Sequence, residues 1–217
     1  VDELARVLGD SALFLLLVPD KDGQSVRLSC FDGRHRLRDG LFFDVGSEYE
    51  KLVALLRGLG LGRVHFHHTL GLSDRLLYLA EDVGCEFDVT IHDYFLVNAH
   101  ATLTDAQARF VAAGAPDFEE RCSENIKLPE PIDVSKWRSA QQQWVSAASR
   151  VIFPSVDCKQ RFLAFYQVKQ PVVAWHPDFN EVVDYPEPDQ VFPKHRPLRV
   201  VVIGALSREK GADVLEA

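Results

Sequence analysis

The chain alternates between short apolar runs and amphipathic segments with helical spacing, and this alternation constrains the fold more than any other feature. Short loops connect the two kinds of segment, as in units of strand, helix and strand. The strand-like runs in this alternating region are Arg63–His68, Phe87–Tyr94, Arg150–Ser155 and Pro171–Pro177. Such alternation implies a parallel sheet with helices on both faces, so we predict an α/β fold.

Residue types typical of helix ends mark the predicted helices. Ser47 begins a helix that runs to Gly60, with Glu50 at the capping-box position. Asp133 and Ser155 are the predicted N-caps of two later helices. Leu72–Gly84 has helical periodicity, and a shorter helix is expected over Thr104–Gly114.

The N-terminal part has a different pattern. The run Ala12–Pro19 is uniformly apolar, which predicts a strand buried on both faces. Ser25–Phe31 and Leu41–Val45 are short strand-like runs with Asp-Gly turns between the strands, so we expect an antiparallel excursion there.

The two ends of the sequence suggest a piece of a longer protein. The chain contains no methionine, and Val1–Gly9 already has helical spacing. Near the other end, Asp184–Pro197 contains four prolines and is expected to be a linker. We therefore predict a first domain over residues 1–183, a linker over 184–197, and the start of a truncated second domain over 198–217.

Composition excludes some functions. The net charge of −8 disfavours nucleic-acid binding, because an acidic surface repels phosphate backbones. Ala12–Pro19 is far shorter than the roughly 20 residues of a membrane helix. Four scattered cysteines without a CxxC pair indicate reduced thiols in a cytoplasmic protein.

Polar residues follow the predicted parallel strands where each strand ends. In open parallel sheets ligands bind beyond the carboxyl ends of the strands, so these side chains are candidates for one site. They are His67, His68, His92, Asp93, Ser155 and His176. An imidazole there suits a sugar hydroxyl, since it can donate or accept near neutral pH.

Each of these residues also has a purely structural interpretation. His92 and Asp93 are neighbours on an extended segment, so their side chains should point to opposite faces and not form a dyad with each other. A buried histidine bonded to a carbonyl and an aspartate fixing a turn would look the same in sequence. Ser155 is also an ordinary helix N-cap.

Two further patterns suggest ion binding. His65 and His67 share one face of a strand, and with Asp93 they could form a metal site, although no His-Glu-x-x-His motif is present. Near the C-terminus, Gly204, Lys210 and Gly211 lie at a predicted strand end and helix start, a pattern suited to a diphosphate.

Together these segments resemble the retaining GT-B glycosyltransferases of glycosyltransferase family four, especially bacterial members that assemble cell-surface polysaccharides. The matching segments fall in family order: VDELARVLG, VHFHHTLGL, DVTIHDYF, ASRVIFPSVDCKQRF, VVAWHP and VVVIGALSREKGADVLEA. The resemblance implies two Rossmann-like domains facing a cleft, with the acceptor on the N-terminal domain and a nucleotide-sugar donor on the other. It also implies that His92 lies near the reacting sugar, that Lys210 contacts the donor diphosphate, and that neither metal nor cofactor is required.

The chain departs from the family pattern at several points. It begins after the Gly-rich acceptor loop and ends before the Glu-x7-Glu motif, so we expect the isolated 217 residues to be inactive. A glycan or lipid-linked acceptor is expected, and a lipid carrier would imply peripheral contact with the inner face of the plasma membrane. The alternatives are a metal-dependent or nucleotide-sugar-processing enzyme using His65, His67 and Asp93, and a non-catalytic sugar-binding relative.

Overall fold

A computed structural model describes residues 11–20, 23–31, 40–98, 101–123, 133–174, 207–210 and 212 of the chain. The predicted first helix, Val1–Gly9, and the proline-rich linker lie outside these residues. The described strands form two sheets, one antiparallel and one parallel. Within the described ranges, no helix has the length and apolar character required to cross a membrane.

The antiparallel sheet has three strands in the order β1–β2–β3, as expected for the excursion. The strands are β1 (Phe14–Pro19), β2 (Ser25–Phe31) and β3 (Leu41–Asp44). The prediction that the first run is buried on both faces is wrong, because every residue of β1 is only half-buried. Leu15 and Leu17 pack against the core, whereas alternate residues of an antiparallel strand face the other way.

Helix α1 (Tyr49–Gly58) packs its apolar face against this sheet. The helix is shorter than predicted, and Ser47 is not its N-cap. Instead, the Ser47 amide and hydroxyl both donate to Asp44 Oδ1 at 2.7 Å. The predicted capping box therefore does not form, because Ser47 is hydrogen-bonded to the carboxylate of Asp44, three residues earlier.

The parallel sheet contains four strands in the order β4–β5–β6–β7. They are β4 (Arg63–Phe66), β5 (Glu86–Thr90), β6 (Arg150–Phe153) and β7 (Pro171–Val173). Each pairs in parallel with the next along the chain. The predicted α/β class is confirmed, and a parallel sheet flanked by helices is compatible with a Rossmann-like fold.

The helices that follow these strands begin and end at identifiable residues. A 3₁₀ turn over Asp74–Tyr78 leads into α2 (Leu79–Val83), where one longer helix was predicted. Beyond β5 come α3 (Phe118–Ser123), α4 (Val134–Ala147) and α5 (Val156–Leu163).

Both predicted N-caps of the later helices are confirmed. Asp133 Oδ1 accepts from the Lys136 amide at 3.1 Å, and Ser155 Oγ accepts from the Cys158 amide at 3.1 Å. In each case a short side-chain acceptor satisfies a backbone N–H that has no partner within the helix.

One face of the parallel sheet is apolar. Phe66, Val89 and Val151 lie side by side on adjacent strands and are buried in one core. Trp144 of α4 packs edge-on against Phe66 with ring centroids 5.1 Å apart, and its indole N–H donates to the Leu77 carbonyl at 3.0 Å. This contact fixes the helix over the sheet.

The opposite face of the same sheet carries polar residues in the neighbouring row. His65, Asp88 and Arg150 are in register on β4, β5 and β6. Asp88 is 2% exposed and accepts from Arg63 Nη1 at 2.8 Å and from Arg150 Nη2 at 2.6 Å. Two guanidinium groups from the flanking strands therefore neutralise and bind a buried carboxylate.

The segment between β5 and α4 does not form the helix predicted over Thr104–Gly114. Thr104 pairs with Phe110 in an isolated antiparallel bridge, and Ala108 has a φ of 62°. Buried Asp105 holds this turn by accepting from the backbone amides of Gln107 and Arg109. Burial alone would raise the pKa of Asp105, but hydrogen bonds from Arg121 and Arg109 outweigh it and hold that pKa well below its usual range.

We expect Asp88→Asn to lower the free energy of unfolding by about 2 kcal/mol, because the loss of one buried partner leaves uncompensated charge on two arginines that are only half-exposed. Glu86→Gln is the matched control, since Glu86 also pairs with Arg63 but its side chain is 65% exposed, and its loss should be below about 1 kcal/mol. Urea denaturation at neutral pH measures both. Equal losses in the two variants would contradict a central role for Asp88.

Candidate functional site

The site is built where β4 and β5 end. His67 and His68 directly follow β4, and His92 and Asp93 follow β5 after one further extended residue. That residue, Ile91, still donates its amide to the Ile152 carbonyl of β6 at 2.9 Å, so the backbone keeps the strand direction. We call His67, His68, His92 and Asp93 the strand-end cluster.

Side-chain pairs between β4 and β5 follow a constant offset. Arg63 contacts Asp88, His65 contacts Thr90, and both pairs are separated by 25 residues in sequence. The pairs His67–His92 and His68–Asp93 continue the same offset beyond the ends of the strands. In the backbone register Arg63 lies opposite Glu86, yet its side chain contacts Asp88, two residues further along β5. The other pairs have the same displacement.

His67 and His92 form the exposed end of this series of side-chain pairs. His67 Nδ1 lies 3.1 Å from His92 Nε2, and the ring centroids are 5.4 Å apart with the planes 27° from parallel. At that separation one ring nitrogen donates and the other accepts, so a single proton lies between the two imidazoles. His67 also stacks on His65, with ring centroids 4.4 Å apart.

His68 and Asp93 pair on the other side of the two strand ends, and the backbone fixes the tautomer of His68 in this arrangement. The Leu70 amide donates to His68 Nδ1 at 2.9 Å, so that nitrogen carries no hydrogen in this arrangement. His68 Nε2 then donates to Asp93 Oδ2 at 2.9 Å, and the Phe95 amide donates to Asp93 Oδ1 at 2.9 Å. Both carboxylate oxygens are therefore engaged in holding the loop after β5.

This arrangement confirms the predicted alternation of side chains. His65 and His67 share one face with His68 opposite, and His92 and Asp93 each bond a different partner. Asp93 does not orient His92, as expected for neighbours on an extended segment.

A small pocket of about 20 Å³ opens at the strand-end cluster, large enough for about one water molecule. Its polar lining comes from the cluster together with Thr69 and Thr90, and its apolar lining comes from Phe66, Val89, Ile91 and Leu96. His92 is exposed at this end of the sheet, whereas Thr90 beneath it is buried. Exposed imidazole above a buried, bonded layer suits contact with a polar ligand.

His65 supports the cluster from below. Its Nε2 lies 2.7 Å from Thr90 Oγ1, and burial lowers its pKa, although nearby Asp88 opposes that shift. The neutral ring is therefore the favoured form in the folded protein.

The other predicted site residues lie apart from these contacts or outside the described residues. Ser155 caps α5 at the end of β6. Lys210 is exposed at the end of a 3₁₀ turn over Arg208–Lys210. Gly204, Gly211 and His176 lie outside the residues that the structure describes.

The three residues of the metal-site hypothesis have other partners in the structure. His65 bonds Thr90, His67 bonds His92, and Asp93 bonds His68. Among the residues described, no three His, Cys, Asp or Glu side chains are grouped as metal ligands.

Sequence reasoning missed Thr90 and the Arg63–Asp88 contact. The signal was present as polar residues at every second position, in Arg63, His65 and His67 and again in Asp88, Thr90 and His92. Period-two polarity on adjacent strands predicts a polar sheet face.

We expect His65→Gln to weaken the fall in the free energy of unfolding as the pH drops below about 6.5. An unfolded chain takes up a proton on His65 near pH 6.5, whereas the folded chain does so only at lower pH. The neutral His65 ring thus makes its full contribution to the free energy of unfolding above about pH 6.5. That contribution declines as the pH falls from there toward the lower folded-state pKa. Glutamine keeps a hydrogen-bonding group near Thr90 but does not titrate. Urea denaturation at pH 7 and pH 5 measures the change, and an unaltered pH dependence would contradict the assignment.

No family model matches the chain, and neither the curated proteins nor the solved structures give a match. The functional interpretation therefore rests on the geometry of the strand-end cluster and on the sequence motifs.

Proposed function

We propose that the chain carries the acceptor-side half of a retaining glycosyltransferase that takes a sugar from a nucleotide-sugar donor. The observation that carries the proposal is the convergence of His67, His68, His92 and Asp93 at the carboxyl ends of two adjacent parallel strands. Ligands of open parallel sheets bind at this edge. The similarity of the TIHDY and IG…KG segments to glycosyltransferase family four supports the same reaction.

His92 is the residue that we assign to the reacting sugar. It is the exposed member of the His67–His92 pair, so it is accessible to a substrate. Its Nε2 is hydrogen-bonded to the His67 ring, and an imidazole binds a sugar hydroxyl by donating or accepting according to its tautomer. Asp93 holds the loop beneath the substrate through His68 and the Phe95 amide.

The leaving nucleoside diphosphate is assigned to the other end of the chain. Transfer from a nucleotide sugar develops negative charge on the diphosphate, and a fixed cation with backbone N–H donors stabilises that charge best in the transition state. Lys210, together with Gly204 and Gly211 of the same sequence motif, is the candidate group. Such a site supplies by side chain and backbone the charge that a divalent metal supplies elsewhere.

The acceptor is proposed to be a glycan or a lipid-linked sugar of cell-surface polysaccharide synthesis, such as O-antigen, capsule or lipopolysaccharide. The reaction would take place in the cytoplasm, at the inner face of the membrane when the acceptor is lipid-linked. Because the pocket at the strand-end cluster is only about 20 Å³, most of the acceptor must lie outside it, against the loops that follow the strands.

The proposal predicts sugar transfer with retention by the full-length protein. The experiment is a panel of nucleotide sugars with glycan and lipid-linked acceptors, followed by determination of the anomeric configuration of the product. We expect one donor to be used, the configuration to be retained, and the 217-residue chain alone to transfer none. Inversion, or transfer by the isolated chain, would overturn the assignment.

His92→Ala in the full-length protein should reduce kcat/KM by about 10- to 100-fold, as expected for the loss of one hydrogen bond to a reacting group. Glu81→Gln is the control, because Glu81 is exposed on α2 and lies outside the strand-end cluster. Circular dichroism of both variants establishes that they fold. A His92 variant with unchanged kcat/KM would remove His92 from the reaction.

A further inference from the structure

We propose that His67 is a positioning residue that fixes the ring orientation and the tautomer of His92; its catalytic meaning rests on the proposed function. From the sequence, His67 is one of the candidate ligand-binding residues at the strand ends. The geometry points to a different role, in which His67 acts through His92.

The distance between the facing ring nitrogens of His67 and His92 shows that the two rings are hydrogen-bonded. His67 Nδ1 and His92 Nε2 are 3.1 Å apart, which is hydrogen-bonding distance. If both nitrogens carried hydrogens, the two N–H groups would point at each other; if neither did, two lone pairs would repel. One proton therefore occupies the space between the rings, and the state of His67 Nδ1 decides the state of His92 Nε2.

His67 is less exposed than His92. It is half-buried and stacks on His65 at 4.4 Å between ring centroids. His65 in turn contacts Thr90, which is 3% exposed on the central part of the sheet. Exposure thus increases from Thr90 through His67 to His92, and in our proposal the more buried ring orients the more exposed one.

The second pair in the cluster supports this division of roles. His68 has its tautomer fixed by the Leu70 amide and by Asp93, so its proton position needs no further partner. On His92 Nε2, the His67 ring takes the position that the Asp93 carboxylate takes on His68 Nε2. A partner on that nitrogen determines which tautomer faces a substrate.

Two substitutions at position 67 separate the hydrogen bond from the packing. His67→Phe keeps an aromatic ring for stacking but removes the hydrogen bond. His67→Asn keeps an amide near the position of Nδ1 and can still donate or accept, so it is the matched control. Neither side chain titrates.

The measurement is ¹⁵N–¹H correlation NMR of the histidine side chains at neutral pH in the 217-residue chain. We expect a single His92 tautomer in the parent chain and in His67→Asn, and averaged ring-nitrogen shifts in His67→Phe. A scalar coupling across the hydrogen bond from His67 Nδ1 to His92 Nε2 tests the contact in the parent chain, independently of whether a variant folds. Absence of that coupling, or one spectrum for both variants, overturns the proposal.

The same variants in the full-length protein test the catalytic meaning. His67→Phe should lower kcat by about tenfold, the effect of one hydrogen bond, with the donor KM unchanged, while His67→Asn restores most of the rate. Loss of rate in both variants alike, with the tautomer intact, would overturn positioning. If the NMR coupling is present but no donor is used by the full-length protein, the proposed function fails while the His67–His92 coupling stands.

Discussion

The buried carboxylate of Asp88 is the interaction on which the parallel sheet depends. A charged group with 2% exposure is costly unless it is paired, and guanidinium groups from the strands on either side bind both of its oxygens. Arg63 and Arg150 thereby connect β4 and β6 through β5 on the face opposite Trp144. The apolar face of the sheet packs into the hydrophobic core, and the ion pairs on the polar face connect specific neighbouring strands.

This polar face extends directly into the candidate site. A strand repeats its facing direction every second residue, so the row that begins with Arg63 continues through His65 to His67. The neighbouring row runs from Asp88 through Thr90 to His92, and each pair keeps the same offset of 25 residues. The cluster is therefore the solvent-exposed end of the same series of contacts between β4 and β5.

The sequence predicted the parts of the structure that depend on local patterns. Strand periodicity gave the α/β class, and Asp133 and Ser155 were recognised as caps because they act on residues three positions away. The sequence-based predictions were wrong where a residue had another hydrogen-bond partner available. Ser47 bonds Asp44 instead of capping a helix, and Asp105 holds Thr104–Gly114 in a turn instead of a helix. The pairing of His67 with His92 could not be predicted, since the register between β4 and β5 depends on contacts that are distant in sequence.

The placement of the one carboxylate in the cluster has a chemical consequence. Asp93 is bonded by His68 and by the Phe95 amide, so neither oxygen is directed at His92. A carboxylate bonded to His92 would favour its charged form, whereas the His67 ring bonded to its Nε2 adds no negative charge. In the sugar transfer that we propose, an uncharged His92 could accept a hydrogen bond from a sugar hydroxyl, which an imidazolium could not. Separation of the two pairs onto opposite sides of the strand ends thus leaves Asp93 to hold the loop after β5, while His92 is bonded to His67.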